Sequence, residues 1–90
     1  MGEFRFSSPG LEVEDYTATG TEGNKISAPY LLGKTIALVT RNTLTLIPED
    51  TNPPDSQGWF YDADPASPTF QDLIFGTNLQ PDEVIQILYV

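Results

Sequence analysis

Proline stands at positions 9, 29, 48, 53, 54, 65, 68 and 81, and this punctuation limits what the chain can fold into more than any other feature. Proline has no backbone donor and holds φ near about −65°, so it interrupts helix interiors and central strands alike. No stretch of about a dozen residues keeps a helical apolar period free of Pro or Gly, which excludes a helical bundle. Between the prolines lie short runs rich in Thr, Val, Ile, Leu and aromatics. Such runs bounded by turn residues predict an all-β chain, a small antiparallel β-sandwich of about six to eight short strands.

The runs can be placed. Residues 35–41 set Ile36, Leu38 and Thr40 on one face and Ala37, Val39 and Arg41 on the other, apolar on nearly both sides as in an interior strand. Residues 43–47 alternate, with Leu44 and Leu46 expected inward and Thr43 and Thr45 outward. Asn42 tolerates positive φ, so the two runs are expected to meet in a tight hairpin, with Pro48 ending the second strand. Residues 49–57 have the composition of a surface loop, and Gly58 opens an aromatic strand through Trp59, Phe60 and Tyr61. After a turn over 62–69, residues 70–75 form the expected partner strand of 59–61, broken at Gly76, Thr77 and Asn78. Residues 83–90 admit a helix, with Pro81 at its start and Asp82 and Glu83 in its first turn. Their β-branched content and a length of about two turns favour a strand that points Ile85, Ile87 and Tyr89 at the core.

The N-terminal third is patterned differently. Residues 3–6 and 11–16 alternate briefly, but residues 17–24 are rich in Thr and Gly with nothing to bury, as expected of a flexible loop or an arm that orders against a partner. The expected organisation is an extended N-terminal arm or edge strands over 1–25 and a β-sandwich domain over 26–90.

Charge and missing residue types exclude whole classes of chemistry. The 90 residues hold 13 Asp and Glu against 4 Lys and Arg, with no Cys and no His. Absent Cys removes disulfides and thiolate sites; absent His removes the usual base of a serine or cysteine nucleophile and the commonest metal ligand. A net charge of −9 opposes direct nucleic-acid binding, because affinity for phosphate comes from Lys and Arg. The charge is uneven: residues 1–34 carry five acids and three bases, residues 35–90 eight acids and one base. No apolar run approaches the roughly 20 residues of a membrane helix, and no secretory signal pattern opens the chain, so synthesis in a cytoplasm and no membrane partner are expected.

Carboxylates are then the only abundant reactive groups. Asp62 and Asp64, with Asp72 facing them across a hairpin, form a conceivable acid and base pair, but acids in turns of so small a sandwich serve solubility and turn hydrogen bonds. Asp62-Ala63-Asp64 also has the alternation of half a calcium loop, without its glycine and distal Glu. Glu12, Glu14 and Asp15 form a second acidic cluster, with Glu12 and Glu14 expected on a solvated face. No catalytic residue, cofactor or metal is expected.

Aromatic and apolar surplus points to contact with other chains. Three consecutive aromatics at 59–61 cannot all face one core, so at least one must meet the second face of its sheet. Runs 36–39 and 84–90 leave little polar surface on either side, where an isolated sandwich alternates cleanly. The expected interface residues are Phe4, Phe6, Leu11, Tyr16, Tyr30, Trp59, Tyr61 and Val90. With a charge of −9, acidic loops should face water while apolar strands and the arm make contacts, with a homo-oligomer as the expected state. The alternative is a carbohydrate-binding or adhesin-type module that stacks sugars on Trp59 and Tyr61.

A resemblance bears on this choice. Residues 26–42 (ISAPYLLGKTIALVTRN), then 44–47, 70–76, Leu79 and 82–89, resemble small β-sandwich modules in virion proteins of tailed bacteriophages. The shared pattern runs from an apolar-Gly-Lys segment into a strand ending in Arg and a turn residue, then a hairpin partner, a Phe-Gly strand end and a terminal strand closing in Leu-Tyr. It covers residues 26–90 and carries no catalytic residues. The resemblance implies a structural part of a virion, of head-decoration, fibre-base, neck or tail type, with other virion proteins as partners.

Overall fold

The computed structural model describes residues 10–90. Phe4, Phe6 and the alternation over 3–6 lie outside the described residues. Eight strands form two four-stranded sheets: β1 Glu12–Thr17, β2 Lys25–Ser27, β3 Ile36–Arg41, β4 Leu44–Thr45, β5 Ile47–Pro48, β6 Gly58–Tyr61, β7 Asp72–Phe75 and β8 Val84–Tyr89. One sheet has the order β1-β8-β3-β4 and the other β2-β7-β6-β5. A 3₁₀ turn, Pro29–Leu31, lies between β2 and β3. The chain is the all-β sandwich that its proline spacing demands, and the C-terminal run is a strand.

The core lies between the sheets. Ile85, Ile87 and Val39 of the first sheet meet Ile26, Leu73 and Phe75 of the second, with Leu31, Leu46 and Leu79 closing the ends. Alternation holds along β8: Ile85 and Ile87 are fully buried, Tyr89 packs on the core, and Val84, Gln86 and Leu88 point to the other side. At about 25 cal/mol per Å² of apolar surface removed from water, burial of this inner row favours the fold.

Several local expectations are corrected. In β3 the register against β8 shifts between Ile36 and Leu38, so two steps on β3 oppose one on β8. This bulge at Ala37 turns Ile36 onto the core side with Val39, leaving Leu38 outward; simple alternation put Ile36 and Leu38 together. The hairpin is real: Asn42 and Thr43 both have positive φ (51° and 66°), the two-residue turn whose twist suits antiparallel strands. Its second strand, however, does not continue to Pro48. Thr45 still pairs with Thr40, but Ile47 and Pro48 pair in parallel with Gly58 and Trp59 of the other sheet. The segment therefore crosses between sheets at Leu46, which is buried, while Leu44 is 57% exposed at the edge rather than inward. Pro48 is tolerated because β5 is an edge strand. Residues 70 and 71 belong to the turn before β7, Gln71 having φ of 71°.

The Thr- and Gly-rich stretch does bury something. Ala18 is in the core, and the loop behind it closes on the Glu22 carboxylate, which accepts hydrogen bonds from the Tyr16 hydroxyl (2.6 Å) and the amides of Thr19 (2.8 Å) and Gly20 (2.9 Å). β1 pairs with β8 along all six of its residues, and β2 pairs with β7. From Glu12 onward the N-terminal third is thus made of edge strands of both sheets, and Ile26, which begins the expected domain, stands inside β2.

Candidate functional site

The paired acids come first. Asp62 is only 3% exposed, and its carboxylate accepts from Ser67 Oγ (2.5 Å), Thr69 Oγ1 (2.6 Å) and the Asp64 amide (3.0 Å). These bonds favour the charged form and hold its pKa below the ordinary aspartate value, opposite to the shift a general acid requires. Asp72 does oppose Asp62 across the hairpin, through backbone bonds from Asp62 N to Asp72 O and from Gln71 N to Asp62 O. Asp64 accepts from the Ala66 amide (3.0 Å). The cluster is a turn lock, with both Asp62 oxygens spent on the chain's own donors. Among the described residues no group of three His, Cys, Asp or Glu side chains is placed to hold a metal ion.

A second locked carboxylate stands at the far end of the first sheet. Glu83 receives Arg41 through Nε (3.1 Å) and Nη2 (2.8 Å), and the guanidinium also donates to Thr77 Oγ1 (2.9 Å) and Asn78 O (2.7 Å). Arg41 lies 5.8 Å from the Phe75 ring centroid. It lines a depression of about 400 Å³ with Leu44, Leu46 and Ser56. The guanidinium is engaged by protein acceptors on every side, which suits a clamp between β3, β8 and the 76–78 turn. Hydrogen bonding to Arg41 lowers the Glu83 pKa.

The aromatic residues turn inward. Trp59 and Tyr61, two apart on β6, share its inner face and pack on the core, and Tyr61 donates to the Ala28 carbonyl (2.8 Å). Phe60 is the one of the three that faces the other side, opposite Ile74. Tyr30 lies against Tyr89 with ring centroids 5.6 Å apart, and burial, followed by the nearby Glu14 charge, pushes its pKa up to about 12. Tyr16 is held by Glu22, and this hydrogen bond raises its pKa. These rings do not line up as an exposed stacking platform, because alternation that brings Trp59 and Tyr61 to one face brings them to the core face. Of the remaining expected interface residues, Leu11 is half-buried just before β1, and Val90 is exposed beyond β8, its backbone paired with Thr35. Glu12 and Glu14 are solvated, as expected, although their register with Tyr89 and Ile87 puts them on the core-facing side of β1.

The surface that the structure does assemble is the outer side of the first sheet. The register aligns Val13 with Leu88 and Leu88 with Leu38, an apolar row across three adjacent strands. Beside it runs a polar row, Asp15, Gln86, Thr40 and Thr45, in which Gln86 Nε2 donates to Asp15 Oδ1 (3.0 Å). Next come Thr17 and Val84, whose amide donates to Asn42 Oδ1 (2.8 Å). Val13 is 53% and Val84 43% exposed, and a depression of about 400 Å³ lies over Thr40, Asn42, Thr43, Val84 and Gln86. The outward apolar surplus of 84–90 lies at Val84 and Leu88. The signal was present: Val84, Gln86 and Leu88 alternate with the core residues, and Val13 alternates with acids.

Comparison of the chain with known protein families, with curated proteins and with solved structures returns no match.

Proposed function

We propose that the chain is a non-enzymatic structural subunit that assembles with other protein chains, in a bacteriophage virion as the resemblance of residues 26–90 implies. The observation that carries this reading is the in-register row Val13, Leu88 and Leu38 with Val84 beside it, in which Val13 and Val84 are exposed and Leu38 and Leu88 half-buried. Apolar rows of this kind gain from contact with another chain, while the surrounding Thr, Gln and Asp side chains supply a polar rim. The Asp62 and Glu83 carboxylates and the Arg41 guanidinium are engaged within the fold.

Light scattering on the purified chain tests the reading. A mass rising above the 9.9 kDa monomer with concentration, and rising further when salt screens the −9 charge, is the expected result. The double variant Val84→Gln/Leu88→Gln should abolish it while leaving the fold intact. A monomer at every concentration and ionic strength would remove self-assembly from the reading.

A further inference from the structure

We infer that the outer edge of β1, unpaired among the described residues, accepts an extended segment of a different chain, one that alternates apolar residues with lysine or arginine. This rests on the assembly reading above, and adds to it a second surface and the chemistry of its partner.

The edge is defined by hydrogen-bond parity. Ala18 N donates to Glu83 O (2.8 Å), and in an antiparallel ladder alternate residues turn their N–H and C=O to the same neighbour. Tyr16, Glu14 and Glu12 therefore bond to Ile85, Ile87 and Tyr89. The opposite side of β8 obeys the same parity, since Val84 O accepts from Asn42 N and Val90 exchanges both bonds with Thr35. It follows that the N–H and C=O groups of Val13, Asp15 and Thr17 point away from β8, and among the described residues no strand pairs with them. Six backbone groups in a row make an extended template for an added strand. The other sheet edges are poorer templates: β2 has three residues, and β4 and β5 have two each, divided by the crossing at Leu46.

Charge selects the occupant. The β1 sequence is EVEDYT, and Glu12 and Glu14 are exposed on one side of the strand. A second copy laid antiparallel on this edge would bring its own Glu12, Glu14 and Asp15 next to these, between chains each at −9. Like charges opposite each other destabilise strand pairing, so the acids exclude self-pairing while admitting a basic strand. An added strand whose basic residues oppose Glu12 and Glu14 places its alternate residues on the outer face, beside Val13. Apolar side chains there extend the row Val13, Leu88 and Leu38 by one strand.

The test uses the full chain, isotope-labelled, titrated with a nine-residue peptide alternating valine and lysine and with its valine–glutamate counterpart. The lysine peptide should bind on the order of tenfold or more tightly than the glutamate peptide, weaken with salt, and slow amide exchange at Val13, Asp15 and Thr17. The double variant Glu12→Lys/Glu14→Lys should reverse the preference. Equal binding of both peptides, binding of neither, or protection centred away from β1 would overturn the inference, as would self-pairing through β1 at neutral pH. Val84→Gln/Leu88→Gln, which tests face assembly, should leave the peptide's protection at β1 in place, so either reading can fail alone.

Discussion

The two sheets differ on their outer sides. On the second sheet, Ile74 faces away from the core yet is only 2% exposed, and the 49–57 loop lies against the end of β7. Asp55 and Ser56 lie against Gly76 so closely that a methyl there would overlap the Asp55 carbonyl, Asn52 bonds Thr69, and Pro54 is buried. On the first sheet, of the outward positions Val13, Leu38, Val84 and Leu88, Val13 and Val84 are exposed and Leu38 and Leu88 half-buried. The 49–57 loop packs beside the second sheet and not the first.

Substitutions can break this comparison. Ile74→Ala should cost about 2–4 kcal/mol in urea unfolding, as much as Ile87→Ala between the sheets, since both empty a fully enclosed site. A cost under about 1 kcal/mol at Ile74 would mean that the loop does not bear on it. Gly76→Ala should cost about 1–3 kcal/mol by displacing the loop backbone, with protease cleavage appearing in 49–57. Acid should act on both sheets by a graded route. Glu22, with a pKa lowered to about 2, and Asp62 and Glu83, also lowered, each favour the fold when ionised. Their contribution is complete above the ordinary carboxylate range and is lost as pH falls below it, for Glu22 down through about 2. Glu22→Gln should flatten that limb of a stability–pH profile, and an unchanged profile would show that the Glu22 loop contributes nothing. The smallest effect is expected at Val84→Ala, within about 0.5 kcal/mol for the isolated chain, because the side chain is already exposed. A larger loss would place Val84 in a contact formed by the chain itself.

Much of the fold was legible. Asn42 marked the hairpin, the pairing of 59–61 with the run ending at Phe75 followed from aromatic strands on either side of a Pro-rich turn, and β-branching chose strand for 84–89. What failed were places where one residue changes its allegiance. The bulge at Ala37 and the crossing at Leu46 each reverse which side chains face inward, and neither changes local hydropathy. The inward turn of Trp59 and Tyr61 was illegible for the same reason. Aromatic content suggested Trp59 and Tyr61, but a ring's size does not say which face of the strand it occupies.

The sequence by itself determined the class: prolines too frequent for helices, alternating short runs for strands, and no Cys or His for the commonest catalytic and metal chemistry. It also determined that the chain would be acidic. Only the tertiary structure decided which acids are free and which are locked, because Asp62, Glu22 and Glu83 find their partners through turns and a cross-strand contact between Arg41 and Glu83. Only the tertiary structure, likewise, brought Val13, Leu38 and Leu88 into one row, since strand register joins residues that are 25 to 75 positions apart and no local pattern encodes it.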